Sequence, residues 1–162
     1  MTAIVNVDEN WGIGKEGDQP FYIPEDLKFF KEKTLGKVVV MGRATLEALP
    51  NAKPLPQREN IVLSRQKGFF VEGAMVCNSI DELLEVLKNH ESKNIFVIGG
   101  ANVYAMLLPL CKRAYVTKIF ATTDCDRHFP DLDEMAEWVQ TEASERKNHE
   151  GLEFQFCSYE RI

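Results

Sequence analysis

Two short runs, VVVM at 38–41 and IFVI at 95–98, carry no polar side chain on either face. Such a strand is stable only where both faces of its sheet are covered, as in the centre of a layered α/β protein. Other β-branched runs lie at 3–7, 60–64, 74–77 and 114–119, and the first of the apolar runs extends back to Lys37. The run 152–159 alternates instead: Leu152, Phe154 and Phe156 share one side and Glu153 and Gln155 the other, which predicts a half-exposed strand. Helical patterns fall between the strands. At 79–89, Ser79 and Glu82 have capping-box spacing, and Ile80, Leu83, Leu84 and Leu87 form an apolar stripe. Pro24 suits a first helical position. A short helix is expected after Gly42, and another from Ala101 to Leu108, stopped by Pro109. Strands alternating with helices predict an α/β fold with a largely parallel sheet, antiparallel at its C-terminal end.

Size and charge narrow the function. A chain of 162 residues suits one domain. A net charge of −6 argues against a nucleic-acid binder, which would show a basic patch. No apolar run approaches the roughly 18 residues of a membrane span, and the first residues lack the basic start of a secretory leader. The expectation is a soluble, cytoplasmic protein. Cys77, Cys111, Cys125 and Cys157 form no CxxC pair and lie near no histidine at ligand spacing, so they read as free thiols and no metal site is expected. His90, His128 and His149 sit in polar settings, and there is neither a Ser/His/Asp triad nor a GK[ST] loop.

Three places carry possible chemistry. The first is 10–30, rich in glycine until Pro24 opens a helix with Asp26 in its first turn, beside Leu27 and on the same face as Phe30. A carboxylate set among apolar groups is partly desolvated and offers a strong acceptor to a planar pair of N–H donors. It is equally readable as an ordinary helix-start acid favoured by the dipole. The second, VVVMGRATLEA at 38–48, runs from a buried strand through Gly42 and Arg43 into a helix, a place for a phosphate or a plain strand-to-helix turn. The third, IFVIGGANVY at 95–104, makes a similar turn through two glycines, which admit a ligand close to the backbone or allow tight helix–strand packing. It is not the GxGxxG dinucleotide fingerprint.

Taken in order, eight motifs resemble bacterial-type dihydrofolate reductases along nearly the whole chain: WGIG (11–14), PFYIPEDLKFFK (20–31), VVVMGRATLE (38–47), PLPQRENIVLSR (54–65), SIDELL (79–84), IFVIGGANVY (95–104), YVTKI (115–119) and HFPD (128–131). The resemblance implies one domain over 1–162 with a central eight-stranded, mostly parallel sheet, an antiparallel C-terminal strand and four flanking helices. It implies reduction of dihydrofolate to tetrahydrofolate with NADPH, supplying one-carbon metabolism, in a cytoplasmic monomer that binds antifolates and neither nucleic acid nor membrane.

It also implies roles. Asp26 corresponds to the acid that holds pterin N3 and the 2-amino group, Thr117 supports it, and Phe21 lies on the lid at the reacting end. Ile4 and Ile98 would offer carbonyls to the pterin. Val5, Asn6, Gln19, Leu27, Phe30, Leu49 and Leu55 would line the substrate, with Arg58 gripping its glutamate carboxylate in a bidentate manner. For NADPH, Gly42, Arg43, Ala44 and Thr45 correspond to one phosphate turn. Gly99, Gly100, Ala101, Asn102 and Val103 correspond to the second, whose Gly-Gly bond is cis in the family. Leu63, Ser64 and Arg65 lie toward the adenosine, where Arg43, Ser64 and Arg65 would surround the 2′-phosphate. Asn6, Ile13, Gly14, Ile98 and Tyr104 lie toward the nicotinamide. Hydride would pass from nicotinamide C4 to pterin C6. The acid reaches N3 rather than N5, so the N5 proton would come through water. Residues 8–23 would form a closing lid.

Four positions depart from the family pattern. Gln19 stands where leucine or methionine is usual, Phe21 where tryptophan is common, Asn6 where a small residue such as alanine is usual, and Ala44 where a basic residue is frequent. Asn6, Gln19 and Phe21 together predict weaker binding of small diaminopyrimidine antifolates such as trimethoprim. A pyrimidine reductase of the riboflavin pathway shares the fold, but Asp26 and Arg58 argue against it. A nucleotide-binding protein without turnover finds support only in these departures.

Overall fold

A computed structural model describes residues 1–15 and 19–162. The chain begins with β1 (Thr2–Val7), β2 (Gly12–Gly14), α1 (Pro24–Thr34), β3 (Val38–Gly42) and α2 (Arg43–Ala48). It continues with β4 (Glu59–Leu63), β5 (Ala74–Cys77), α3 (Ile80–Leu87), β6 (Ile95–Gly99) and α4 (Ala101–Leu107). The last strands are β7 (Arg113–Ile119), β8 (Arg127–His128), β9 (Trp138–Ala143), β10 (Lys147–His149) and β11 (Leu152–Arg161).

The main sheet runs β10-β11-β7-β1-β6-β3-β4-β5, with β9 pairing β11 off that path. From β7 to β5 all pairings are parallel, while β11 runs antiparallel to β7. The chain steps outward from β1 through β3, β4 and β5. It then returns to fill the slot beside β1 with β6 and the other side with β7. This is a mostly parallel α/β sheet with an antiparallel C-terminal end. Both all-apolar runs, β3 and β6, are interior.

Alternation along the strands builds two cores. Ala3, Val5, Val7, Val38, Val40, Ile95 and Val97 pack with Leu83 and Leu87 of α3 and Val103 and Leu107 of α4. Ile4, Val39, Met41, Val62 and Phe96 face the other way, against Leu46 of α2 and Phe29 and Phe30 of α1. Burying one such aliphatic side chain stabilises by about 1.5–3 kcal/mol. A one-residue slip would turn them all to the wrong face, so the register is held tightly.

Two expectations change in detail. β11 is not half-exposed: Phe154 is buried with Ile23 and Ile119 on one face, while Cys157 and Tyr159 are buried in the main core on the other. The cause is that both faces are covered, Phe154 by Ile23 and its neighbours and Tyr159 by the cluster that holds Trp11. At α3, Ser79 caps as its spacing implies, Oγ accepting from Glu82 N at 3.1 Å, but the Glu82 carboxylate accepts from Asn78 N at 2.9 Å, one residue earlier than in a capping box. All four cysteines are free.

Candidate active site

The parallel register sets Asn6 of β1 opposite Thr117 of β7, near the carboxyl ends of both strands. Helix α1 lies over this face, and Asp26 in its first turn reaches down between them. Thr117 Oγ1 donates to Asp26 Oδ1 at 2.7 Å and Asn6 Nδ2 donates to Oδ2 at 2.9 Å. Asp26 is only 9% exposed, which excludes the plain helix-start reading. Burial raises its proton affinity above that of an ordinary carboxylate, partly opposed by the two donors. Leu27, next in sequence, is 45% exposed, and Phe30, Leu49, Leu55 and Ile98 are partly buried against the core cluster on the face that holds Ile4. An apolar rim around one buried polar group is the usual make-up of a small-molecule site.

The Tyr104 hydroxyl donates to the Ile4 carbonyl at 2.7 Å, leaving that oxygen a second lone pair. Burial first, then the nearby Asp26 charge, pushes the phenol's proton affinity up, so Tyr104 is a neutral donor. Val5 alternates to the opposite core and presents no side chain to Asp26.

Arg58 lies farther along the rim. Its Nε donates to the Pro56 carbonyl at 2.9 Å and one terminal nitrogen to Thr34 Oγ1 at 3.1 Å, which aims the guanidinium while leaving donors unused. A buried residue missed in the sequence holds this loop. Asn60 Oδ1 accepts from Leu55 N at 2.9 Å, and Nδ2 donates to the carbonyls of Leu55 at 2.9 Å and Arg58 at 3.0 Å. Its signal was a lone polar residue opening an apolar strand, which is tolerable only when fully bonded.

On the same edge of the sheet, β3 and β6 end in glycine turns. Gly42 and Gly100 precede α2 and α4 without side-chain caps, so backbone N–H groups face outward. The Gly99–Gly100 bond is cis. A Cβ on Gly99 would lie 3.2 Å from Thr45 Oγ1, and one on Gly42 would lie 3.1 Å from Val103 Cγ2, so the absence of side chains lets the two turns and their helices pack closely. Ala101 and Asn102 open α4, with Asn102 and Ala44 exposed. Arg43 is committed to its own surroundings: Nε pairs with Glu47 at 2.8 Å, a terminal nitrogen donates to Gln66, and the guanidinium stacks 4.2 Å from the Phe69 ring centre. Leu63 ends β4, Ser64 follows buried, and Arg65 is exposed.

Of the expected lid, residues 16–18 lie outside the described residues, and Gln19 is exposed. Phe21 is partly buried against Ile23, Ile119 and Phe154. Ile13 packs on the main core, and the Gly14 carbonyl accepts from Asp126 N at 2.9 Å. Asp8, also missed in the sequence, ties this segment down. Its Oδ1 accepts from the backbone of Asn10 at 2.9 Å and Gly12 at 2.7 Å, and its Oδ2 from the backbone of Thr123 at 3.1 Å. Among the described residues no group of His, Cys, Asp and Glu is arranged to hold a metal, and no helix is long and apolar enough to cross a membrane.

A buried, donor-held carboxylate and two bare glycine turns share one edge of a parallel sheet, at the carboxyl ends of its strands. That is where open α/β sheets bind their ligands, and it defines an α/β protein with a candidate small-molecule site at that place. The chain belongs to the dihydrofolate reductase family: the family's sequence model, described as dihydrofolate reductase, matches residues 1–161. Similar proteins include a dihydrofolate reductase of Bacillus subtilis, 37% identical over 99% of this chain and 94% of that one. A type 3 dihydrofolate reductase of Salmonella typhimurium is 40% identical over 99% of each. A solved dihydrofolate reductase from Enterococcus faecalis, complexed with NADP(H) and RAB-propyl, superposes with a TM-score of 0.87 at 36% identity, covering 99% of this chain and 95% of that one.

Proposed function

We propose that this protein reduces dihydrofolate to tetrahydrofolate with NADPH, as a single cytoplasmic domain acting alone. The observation that carries this is the Asp26 carboxylate, buried under α1 and held by Asn6 and Thr117 on the edge that also bears the glycine turns.

The residues present fit the cofactor. The first turns of α2 and α4, beyond Gly42 and Gly100, have no side-chain cap and offer backbone N–H groups to phosphate oxygens, while the missing Cβ atoms, which would crowd Thr45 or Val103, let the two turns lie close together. When bound, NADPH supplies the hydride for pterin C6 from its nicotinamide C4. The protein's part is orientation and electrostatics. Asp26 accepts from pterin N3–H and the 2-amino group, fixing the ring plane through charge-assisted bonds. Its negative charge raises the proton affinity of N5, while the N5 proton itself arrives through water, because the carboxylate is occupied at the other end of the ring. The Ile4 carbonyl, backed by Tyr104, offers a further acceptor. Leu27, Phe30, Leu49 and Leu55 enclose the rings, and Arg58 takes the substrate's carboxylate with its unused donors.

The test is to follow loss of NADPH absorbance on adding dihydrofolate to purified protein. Substrate-dependent oxidation supports the reading; NADPH binding without oxidation overturns it in favour of a binding protein. Repeating the assay with trimethoprim should give an inhibition constant above the micromolar range, because Asn6, Gln19 and Phe21 alter the pocket and lid together. A submicromolar constant contradicts that expectation.

Arg65 carries a further prediction. Arg43 is engaged by Glu47, Gln66 and Phe69, whereas Arg65 is exposed just after Ser64 and is the cation we assign to a 2′-phosphate. Arg65→Ala should weaken NADPH by about 10–100-fold, the worth of one or two bonds to a charged group, and leave NADH nearly unchanged. Equal weakening of both cofactors in a binding titration would show that Arg65 does not read the 2′-phosphate.

A further inference from the structure

Asn6 is a polar residue in an otherwise apolar strand, Thr2–Val7. Strand alternation puts its side chain on the α1 face with Ile4, and the parallel register pairs it with Thr117. The two side chains divide the Asp26 carboxylate between them, one donor to each oxygen. An ionised carboxylate has about four acceptor positions, so each oxygen keeps one for a ligand.

We infer that Asn6 is a positioning residue which, with Thr117, holds Asp26 as an anion and orients its remaining lone pairs toward the ligand cleft. This rests on the reading of Asp26 as the pterin-binding acid. The physical reason is that both partners donate. In the anion both oxygens accept, one from each partner; protonation forces one of these bonds to be given up or turned round, because the Asn6 amide nitrogen has no lone pair and the Thr117 hydroxyl can accept only by ceasing to donate. Burial works in the opposite sense and favours the neutral acid. No Lys, Arg or His of α1, β1 or β7 acts on Asp26 among the described residues, and the titratable group that faces it is the neutral Tyr104 of α4, whose O–H is spent on Ile4. Ionisation of the site therefore depends on two neutral donors, and removing Asn6 leaves one.

The carboxylate can be followed directly. Protein carrying carbon-13 at aspartate Cγ is titrated without substrate or cofactor, with the Asp26 signal assigned from Asp26→Asn. Asn6→Ala places the family's usual small residue at this position, and Asn6→Leu keeps the volume without the donor. In both, the Asp26 midpoint should rise by about one pH unit, a tenfold change in protonation constant for one lost charge-assisted bond. In the same variants the KM for dihydrofolate should rise most on the acid side. A midpoint that is unchanged or lower in the folded variants overturns the inference. Because the titration needs no turnover, a wild-type protein that fails to oxidise NADPH would overturn the functional reading while this measurement still decides the role of Asn6.

Discussion

Asp26→Asn is expected to lower turnover of dihydrofolate by about 10²–10³-fold near neutral pH, the scale for losing one preorganised polar group at a reacting centre. The loss should shrink toward acid pH, where the substrate arrives already protonated and no longer needs the carboxylate to raise its proton affinity. A loss of the same size at every pH would contradict the electrostatic role. The same substitution should raise the melting temperature. The folded protein raises the proton affinity of Asp26, with burial the main cause. An acid of that kind lowers stability as pH rises from its unfolded value through its folded one, so at neutral pH the fold is less stable for carrying it. An asparagine can still accept from Asn6 and donate to the rotatable Thr117 hydroxyl. Activity lost with stability gained marks a group kept for chemistry rather than for the fold. A lower melting temperature would mean that the two bonds to the carboxylate outweigh its burial.

Asp8→Ala should do the reverse. Asp8 is 3% exposed, yet its proton affinity lies below that of an ordinary carboxylate: burial pushes it up, but the backbone N–H groups of Gly12, Thr123 and Asn10 and the Cys125 thiol more than offset that. Removing the side chain strands three backbone donors. The expected loss is about 3 kcal/mol, or roughly 6–12 °C in melting temperature for a chain of this length. A lowered carboxylate contributes stability that is present above its unfolded value and lost as pH falls through the folded one. Wild-type protein should therefore lose this contribution only in strong acid, and Asp8→Ala should show a correspondingly flatter acid limb. Because Asp8 joins 8–14 to the segment around Thr123, the variant should also raise the KM for NADPH. A change in melting temperature under about 2 °C would show that water replaces the carboxylate without loss.

The parts of the fold visible in the sequence were those where one physical signal dominates. The apolar runs of β3 and β6 could only be interior strands, and the Ser79 cap with its leucine stripe could only open a helix. β2, β8 and β10 escaped notice because each is two or three residues long and carries no period. β9 escaped because almost its whole length is exposed. β11 looked half-exposed because its alternation does not show that other segments cover both of its faces. In the site, Asp26 and the glycine turns were legible as possibilities, and only the order of the motifs chose among their readings. What hydrogen bonds do at long range was not legible: Asn6 was read as a pocket residue that departs from the family pattern, and its bond to Asp26 showed only once the register set it beside Thr117. Nor did the sequence show that Arg43 is held by Glu47, Gln66 and Phe69. Asp8 and Asn60 act through backbone partners, which leave no mark in side-chain patterns.

The place of β1 has a consequence for biosynthesis. Thr2 pairs with Phe96 on one side and Arg113 on the other, so β1 has no partner in the main sheet until β6 and β7 have followed it from the ribosome. At about 5–20 residues per second, that wait lasts roughly 5–20 s. Throughout it the apolar run Ala3-Ile4-Val5 stands open to whatever it meets. A nascent chain halted before residue 95 should therefore remain sensitive to protease and bind a chaperone, and it should become resistant only once β6 and β7 have emerged on either side of β1.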